Sequence, residues 1–165
     1  MESPSDKFKR IKSAALIATA IAVPAEGLRQ VAYYDPPGIL TVCHGHTGND
    51  FKKGVKYDIA QCKQWLDDDM LFAVMAVERC APGLPDNVLA AFADAVYNMG
   101  AKITCDKNRS TAARLLAQGK VVAACKELPK WNKANVGGVM VTLPGLTKRR
   151  NLEMTVCLGD LNVNP

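Results

Sequence analysis

The chain has 165 residues, 48% of them hydrophobic and 22% charged, enough for one domain or two small lobes sharing a core, and too few for a multidomain assembly. Twenty-one basic against sixteen acidic residues give a net charge of +5, which favours an anionic partner such as a membrane surface or a cell-wall polymer. The basic residues are not interleaved with aromatics and no zinc-finger or RNA-binding aromatic motif occurs, so nucleic acid is not expected as a partner.

The first element in chain order is a basic head, Lys7, Lys9, Arg10 and Lys12, followed by the uncharged run Ser13 to Ala25, six of whose thirteen residues are alanine. A basic head before a short apolar run has the shape of an export signal. At 1.5 Å per residue thirteen residues span roughly 20 Å, short of a hydrocarbon core of roughly 30 Å. As a transmembrane helix the segment would be marginal. Three readings follow: a signal cleaved after Val23-Pro24-Ala25, a retained membrane segment, or a plain core helix. Cleavage would leave Glu26 at a free terminus, which places a catalytic acid poorly.

Next comes the array Glu26, Asp35 and Thr41, spaced Glu-x8-Asp-x5-Thr, running into Thr41-Val-Cys-His-Gly-His-Thr-Gly48. Hydrolysis of a glycosidic bond needs one carboxyl group to protonate the leaving oxygen, and a second group to direct water or balance positive charge. Glu26 is the candidate general acid, Asp35 the ionised carboxylate, and Thr41 the hydroxyl that holds water. Taken singly, each has an ordinary explanation, Asp35 before Pro36-Pro37-Gly38 being a common turn initiator. Residues 33–52, with Tyr-Tyr, Pro-Pro-Gly and a short β-branched stretch, read as a small twisted β-hairpin region.

Asp58 and Gln61 form a capping pattern for a long helix, with apolar residues Ile59, Trp65, Leu66, Met70, Leu71, Val74, Met75 and Val77 at helical spacing and an end near Cys80-Ala-Pro-Gly. Pro85-Asp86-Asn87 starts a strongly apolar helix from Val88 to Met99, ended by Gly100. Ser110 caps a short helix that ends at Gly119, another covers about 120–128, and Leu143 to Glu153 begins the last helix. Six cysteines are scattered without a Cys-x-x-Cys pair, and the two histidines lie together at positions 44 and 46 rather than distributed among the cysteines, which argues against a metal site. An even count suggests three disulfides and an oxidising compartment, with fifteen pairings open to the sequence. No motif calls for an organic cofactor, and no internal repeat or separate wall-binding segment is present.

The trio with Gly45-His46 in register resembles the phage-type lysozymes, glycoside hydrolase family 24. The resemblance extends through Ala91-Phe-Ala-Asp-Ala-Val-Tyr-Asn-Met-Gly100, Ser110-Thr-x-x-x-Leu-Leu and Gly145-Leu-x-x-Arg-Arg-x-x-Glu153, from about Glu26 to Leu158. It implies an α+β, mostly α, two-lobed lysozyme-like fold, with a small β-hairpin subdomain and a long helix between the lobes. Residues 26–165 would form the catalytic domain and residues 1–25 a segment like the signal-arrest-release segments of some phage endolysins. Having no cysteine before Cys43, the chain cannot use disulfide exchange from within that segment. A further implication is a muramidase that cuts the β-1,4 bond between N-acetylmuramic acid and N-acetylglucosamine in peptidoglycan, with inversion. The enzyme would be exported through the Sec machinery, tethered to the inner membrane of a Gram-negative host and active in the periplasm as a monomer. A cytoplasmic enzyme awaiting a holin is the other location.

By the same resemblance Arg149 or Arg150 pairs with Glu26, and His46 pairs with Asp69 in a structural role. Gly45 and Ser110 would reach substrate, and the disulfides would be Cys43–Cys62, Cys80–Cys157 and Cys105–Cys125. Rival activities are a lytic transglycosylase, against which Asp35 and Thr41 argue, and a non-catalytic wall- or membrane-active protein, which would not require Glu26.

Overall fold

Ser3 opens the first helix, α1 (Pro4–Glu26), by accepting the Asp6 amide on its hydroxyl, with Pro4 in the first turn and Asp6 at the positive end of the helix. The computed structural model describes residues 2–159. Ile11, Ala14, Ala18, Ile21 and Ala22 recur every three or four residues and form the buried face of α1. Three of these five are alanines, so the helix axis can approach its neighbours closely. Gly27, at φ +70°, ends the helix immediately after Glu26. Among the described residues no helix is long and apolar enough to cross a membrane. Here the alanine-rich run is a wall of the core.

Asp58 caps α2 (Ile59–Cys80), its Oδ1 accepting the Gln61 amide at 2.7 Å. α3 (Asp86–Met99) is buried on every side from Val88 to Val96 and ends at Gly100, φ +87°. A helix apolar all round belongs in the middle of a core. α1, α2 and the last helix, α7 (Pro144–Cys157), pack around it. Phe92, Leu89, Met70 and Val77 are among the fully buried side chains of this large cluster. Three short helices, α4 (Lys102–Cys105), α5 (Thr111–Ala117) and α6 (Val121–Cys125), and a 3-10 turn at Leu128–Lys130 complete the larger lobe.

The smaller lobe is an antiparallel sheet of β1 (Arg29–Tyr34), β2 (Leu40–Cys43) and β3 (His46–Thr47) in that order. Tyr33 pairs with Thr41, Tyr34 with Leu40, and Val42 with His46. The sheet has its own core of Val42, Cys43, Phe51, Cys62 and Trp65. Cys62 and Trp65 lie on the first turns of α2, whereas Met70, Val74 and Val77 lie in the large core. The long helix thus joins the lobes, as the resemblance implied.

Two expectations are corrected. Only Cys43–Cys62 pairs as expected; the other bonds are Cys80–Cys105 and Cys125–Cys157. α4 packs against the end of α2 and α6 packs against α7, so each cysteine bonds to the one its own helix faces. Second, residues 133–142, to which the sequence reading gave no element, form a hairpin of β4 (Lys133–Val136) and β5 (Val139–Thr142). Gly137 and Gly138 both have positive φ, as a two-residue turn with the right twist requires.

Candidate active site

Glu26 is the last residue of α1, where the helix meets the sheet. Arg149 Nη1, from the second turn of α7, donates to its Oε1, and Asn98 Nδ2, from the last turn of α3, lies 3.4 Å from the same oxygen. Among the described residues no donor reaches Oε2. That oxygen faces the β2–β3 turn, 3.3 Å from where a Cβ on Gly45 would stand. Gly45 has φ +85°, so glycine serves there both for the backbone and for the space beside the carboxylate. The preceding Cys43 also has positive φ, 58°, and its disulfide to Cys62 ties the turn to α2.

Of the two arginines the resemblance offered, Arg149 is the partner of Glu26. Its Nε and Nη2 donate to Asp94 Oδ2 and Oδ1, at 2.8 and 2.7 Å. Burial works against the guanidinium charge, but the hydrogen bonds and proximity of Asp94 and Glu26 outweigh it and raise Arg149. Arg150 points the other way, fully buried, with Nη2 at 2.6 Å from Glu153 Oε1 and donating to Asn98 Oδ1 at 3.1 Å. Burial lowers Arg150, and burial together with the neighbouring Asp94 carboxylate pushes the Glu153 carboxyl well above the usual carboxylate range.

Asp94 and Glu153 were not among the sequence candidates, although Asp94 carries a legible signal. It is the sole charge between Val88 and Val96 in an otherwise apolar helix, and a buried charge without a partner is costly. Its partner lies 55 residues along the chain, beyond any local pattern.

Asp35 opens the β1–β2 connection. Its Oδ1 accepts the Ile39 amide at 2.7 Å and its carbonyl accepts the Gly38 amide, so the carboxylate is fixed by the turn that Pro36-Pro37-Gly38 builds. Thr41 is buried on β2 and its hydroxyl donates to the Ile39 carbonyl at 3.0 Å. Asp35 and Thr41 are therefore coupled through the same residue, Ile39, on the hairpin that follows Glu26.

His46 is clamped between two carboxylates, with Nδ1 2.7 Å from Asp69 Oδ2 and Nε2 3.0 Å from Asp50 Oδ1, and its ring stacks on Trp65 at 4.6 Å. Burial opposes charge on the ring, yet the two carboxylates outweigh it and raise His46. Burial also pushes Asp69 up, even though His46 pulls it down. The His46–Asp69 pair ties β3 to α2.

Ser110 is a correction. It is fully buried, its hydroxyl donates its one proton to the Ile103 carbonyl at 2.6 Å and accepts the Ala113 amide, so it caps α5 from inside the core and presents no surface to substrate. Gly45, by contrast, lines an open depression of about 250 Å³ between the lobes, with Asp69, Phe72 and Tyr97. Tyr97 donates its hydroxyl to the His44 carbonyl, joining α3 to the turn; burial, chiefly, and the Glu26 charge raise it. His44 Nδ1 is buried without a hydrogen-bond partner among the described residues. The described residues hold no cluster of His, Cys, Asp and Glu fit for a metal ion.

The sequence profile described as phage lysozyme matches residues 24–153. The chain belongs to the phage lysozyme family. The SAR-endolysin of Bacteriophage PS119 is 37% identical over 134 residues, 81% of this chain and 76% of that protein. The SAR-endolysin of Pseudomonas phage phiKMV is 34% identical over 152 residues, 91% and 92% of the two chains. Among solved structures, the active form of the P1 phage endolysin Lyz superposes with a TM-score of 0.74 at 27% identity, covering 90% of this chain and 86% of its own. The secreted inactive form of the same endolysin gives a TM-score of 0.51 at 28% identity, covering 71% and 80%.

Proposed function

We propose that this protein is a phage endolysin, a muramidase that hydrolyses the β-1,4 bond between N-acetylmuramic acid and N-acetylglucosamine in peptidoglycan and so lyses the host cell. The observation that carries this reading is the two-faced setting of Glu26. Oε1 meets only donors, from Arg149 and Asn98, so a proton on this carboxyl resides on Oε2, the oxygen beside the Gly45 turn. A general acid needs its proton on the side open to the leaving group. Asp35, held by the Ile39 amide, supplies the second carboxylate, and Thr41 helps to hold the attacking water, giving inversion at the anomeric carbon.

The same reading gives α1 two stations. The relatives named SAR-endolysins and the weakly hydrophobic run Ser13 to Ala25 support export by the Sec machinery and residence at the inner membrane. While the run lies in the bilayer, Glu26 cannot meet Arg149 and the site is incomplete. Release docks α1 on α2, α3 and α7 and completes it in the periplasm. The closer match to the active than to the secreted inactive form of the P1 endolysin supports taking the docked arrangement as the released state.

Purified peptidoglycan digested by the wild type and by Glu26→Gln, with the products read by mass spectrometry, tests the chemistry. Reducing-end muropeptides from the wild type and none from the variant are expected. Anhydro-sugar ends would make the enzyme a lytic transglycosylase, and products from Glu26→Gln would remove Glu26 from the mechanism. Fractionation of expressing cells tests the location: protein confined to the cytoplasm would refute export.

A further inference from the structure

The arginine that holds Glu26 poses a chemical conflict. An opposite charge in contact favours the ionised carboxylate, whereas a general acid must arrive protonated. A guanidinium gripping Glu26 with two donors would lock it in the wrong state. In this structure it does not, because two of the three guanidinium nitrogens are already taken. Asp94 receives Nε and Nη2 in a bidentate pair at 2.8 and 2.7 Å, leaving Nη1 alone for Glu26 Oε1.

We propose that Asp94 is a positioning residue for the general acid: it orients Arg149, neutralises its charge, and so allows Glu26 to be held in place while still carrying a proton. The proposal rests on Glu26 being the acid of the reaction proposed above. Three observations support it. Asp94 and Arg149 are both buried, so their charges are weakly screened and each needs the other. Asp94 lies one helical turn before Asn98, so α3 presents a carboxylate to Arg149 and an amide to Glu26 from one face. Glu153 Oε1 lies 3.8 Å from Arg149 Nε, beyond hydrogen-bond reach, and 2.6 Å from Arg150 Nη2, so it takes neither of the Arg149 nitrogens that Asp94 holds.

The titratable and charged groups around Glu26 are Arg149, Arg150 and Glu153 from α7, Asp94 and Tyr97 from α3, His44 from the β2–β3 turn, and Asp69 from α2 across Tyr97. Of these only Asp94 engages Arg149 with two hydrogen bonds. Replacing it by a neutral group leaves Arg149 free to turn its full charge on Glu26.

The test is the pH profile of kcat/KM on peptidoglycan for wild type, Glu26→Gln, Asp94→Asn and Asp94→Ser, with circular dichroism and thermal melting of each. Loss of a compensating charge at this distance moves the basic limb, on which the acid loses its proton, about one pH unit or more towards acid, with about a tenfold loss in rate per unit above it. KM stays within about twofold, because Asp94 touches no substrate. A folded Asp94→Asn or Asp94→Ser protein whose basic limb coincides with that of the wild type overturns the proposal. Loss of the native fold in both variants overturns it as well, since Asp94 would then be a structural residue. If Glu26→Gln remains active, the underlying assignment of the acid fails, an outcome distinct from an unmoved limb with Glu26→Gln inactive.

Discussion

Gly45→Ala tests whether the β2–β3 turn is shaped to leave room for the Glu26 carboxylate. Two terms add. Placing a Cβ on left-handed backbone costs roughly 1–2 kcal/mol, because the Cβ crowds the following carbonyl. In a domain of this size that lowers Tm by roughly 2–8 °C. The second term is specific to the site. The new methyl would stand 3.3 Å from Glu26 Oε2, so one of the two must give by a few tenths of an ångström. Glu26 is pinned at Oε1 by Arg149, so the displacement falls on Oε2, the oxygen that delivers the proton. With misplacement of 1 Å costing about a hundredfold, such a shift lowers kcat roughly 4- to 10-fold. Gly119→Ala is the control. Gly119 has φ +70° in the connection between α5 and α6, and a Cβ there meets nothing within 4 Å. It should show the same fall in Tm with unchanged kcat. Melting by calorimetry and turnover on soluble peptidoglycan fragments, measured side by side, decide the matter. Equal losses of activity in the two variants, or full activity in Gly45→Ala, would refute the packing of the turn against the acid.

The basic head of α1 carries a prediction of its own. Arg10 reaches both oxygens of Glu78 at 3.0 and 2.9 Å and the Leu84 carbonyl, fastening α1 to the end of α2. Burial opposes the Glu78 charge, but the Arg10 hydrogen bonds outweigh it and hold its carboxyl below the usual value. Glu78→Gln should cost about 1–3 kcal/mol at pH 7 by chemical denaturation, less than a fully buried pair because Arg10 keeps Glu2 as a partner. With a folded-state value below the unfolded one, this contribution is complete above the ordinary glutamate range and is lost as pH falls through the lowered value. The gap between variant and wild type should therefore close in acid. His46 runs the opposite way. Raised above 6.5, its contribution is complete below that pH and fades as pH rises through the raised value. An NMR titration should place its midpoint above 6.5 and bring it down in Asp69→Asn. Peptide mapping without reduction should yield Cys80–Cys105 and Cys125–Cys157 cross-links; a Cys80–Cys157 peptide would contradict the packing of α4 on α2.

What the sequence determined by itself is whatever is written locally. Asp58 and Gln61 with their apolar spacing specify α2 and its start, Gly100 ends α3, and the Glu26, Asp35, Thr41 and Gly45 array falls on one helix end and the hairpin beside it. Six scattered cysteines announce three bonds. The Gly137-Gly138 pair between valines was also a local signal, legible in principle as a hairpin turn. The tertiary structure alone decided which groups meet. The disulfide partners depend on α4 facing α2 and α6 facing α7. Ser110 is legible as the cap of α5, but only the fold buries it and directs its proton to the Ile103 carbonyl. Arg149 and Arg150 are adjacent in sequence, but about 100° per residue around α7 sends one to Glu26 and the other to Glu153. Asp94 acquires its role only because an arginine 55 residues away is packed against it. Caps, turns and apolar periods act over a few residues and can be read in order. A buried charge is balanced by whatever the folded chain brings alongside it, and that neighbour has no fixed distance in sequence.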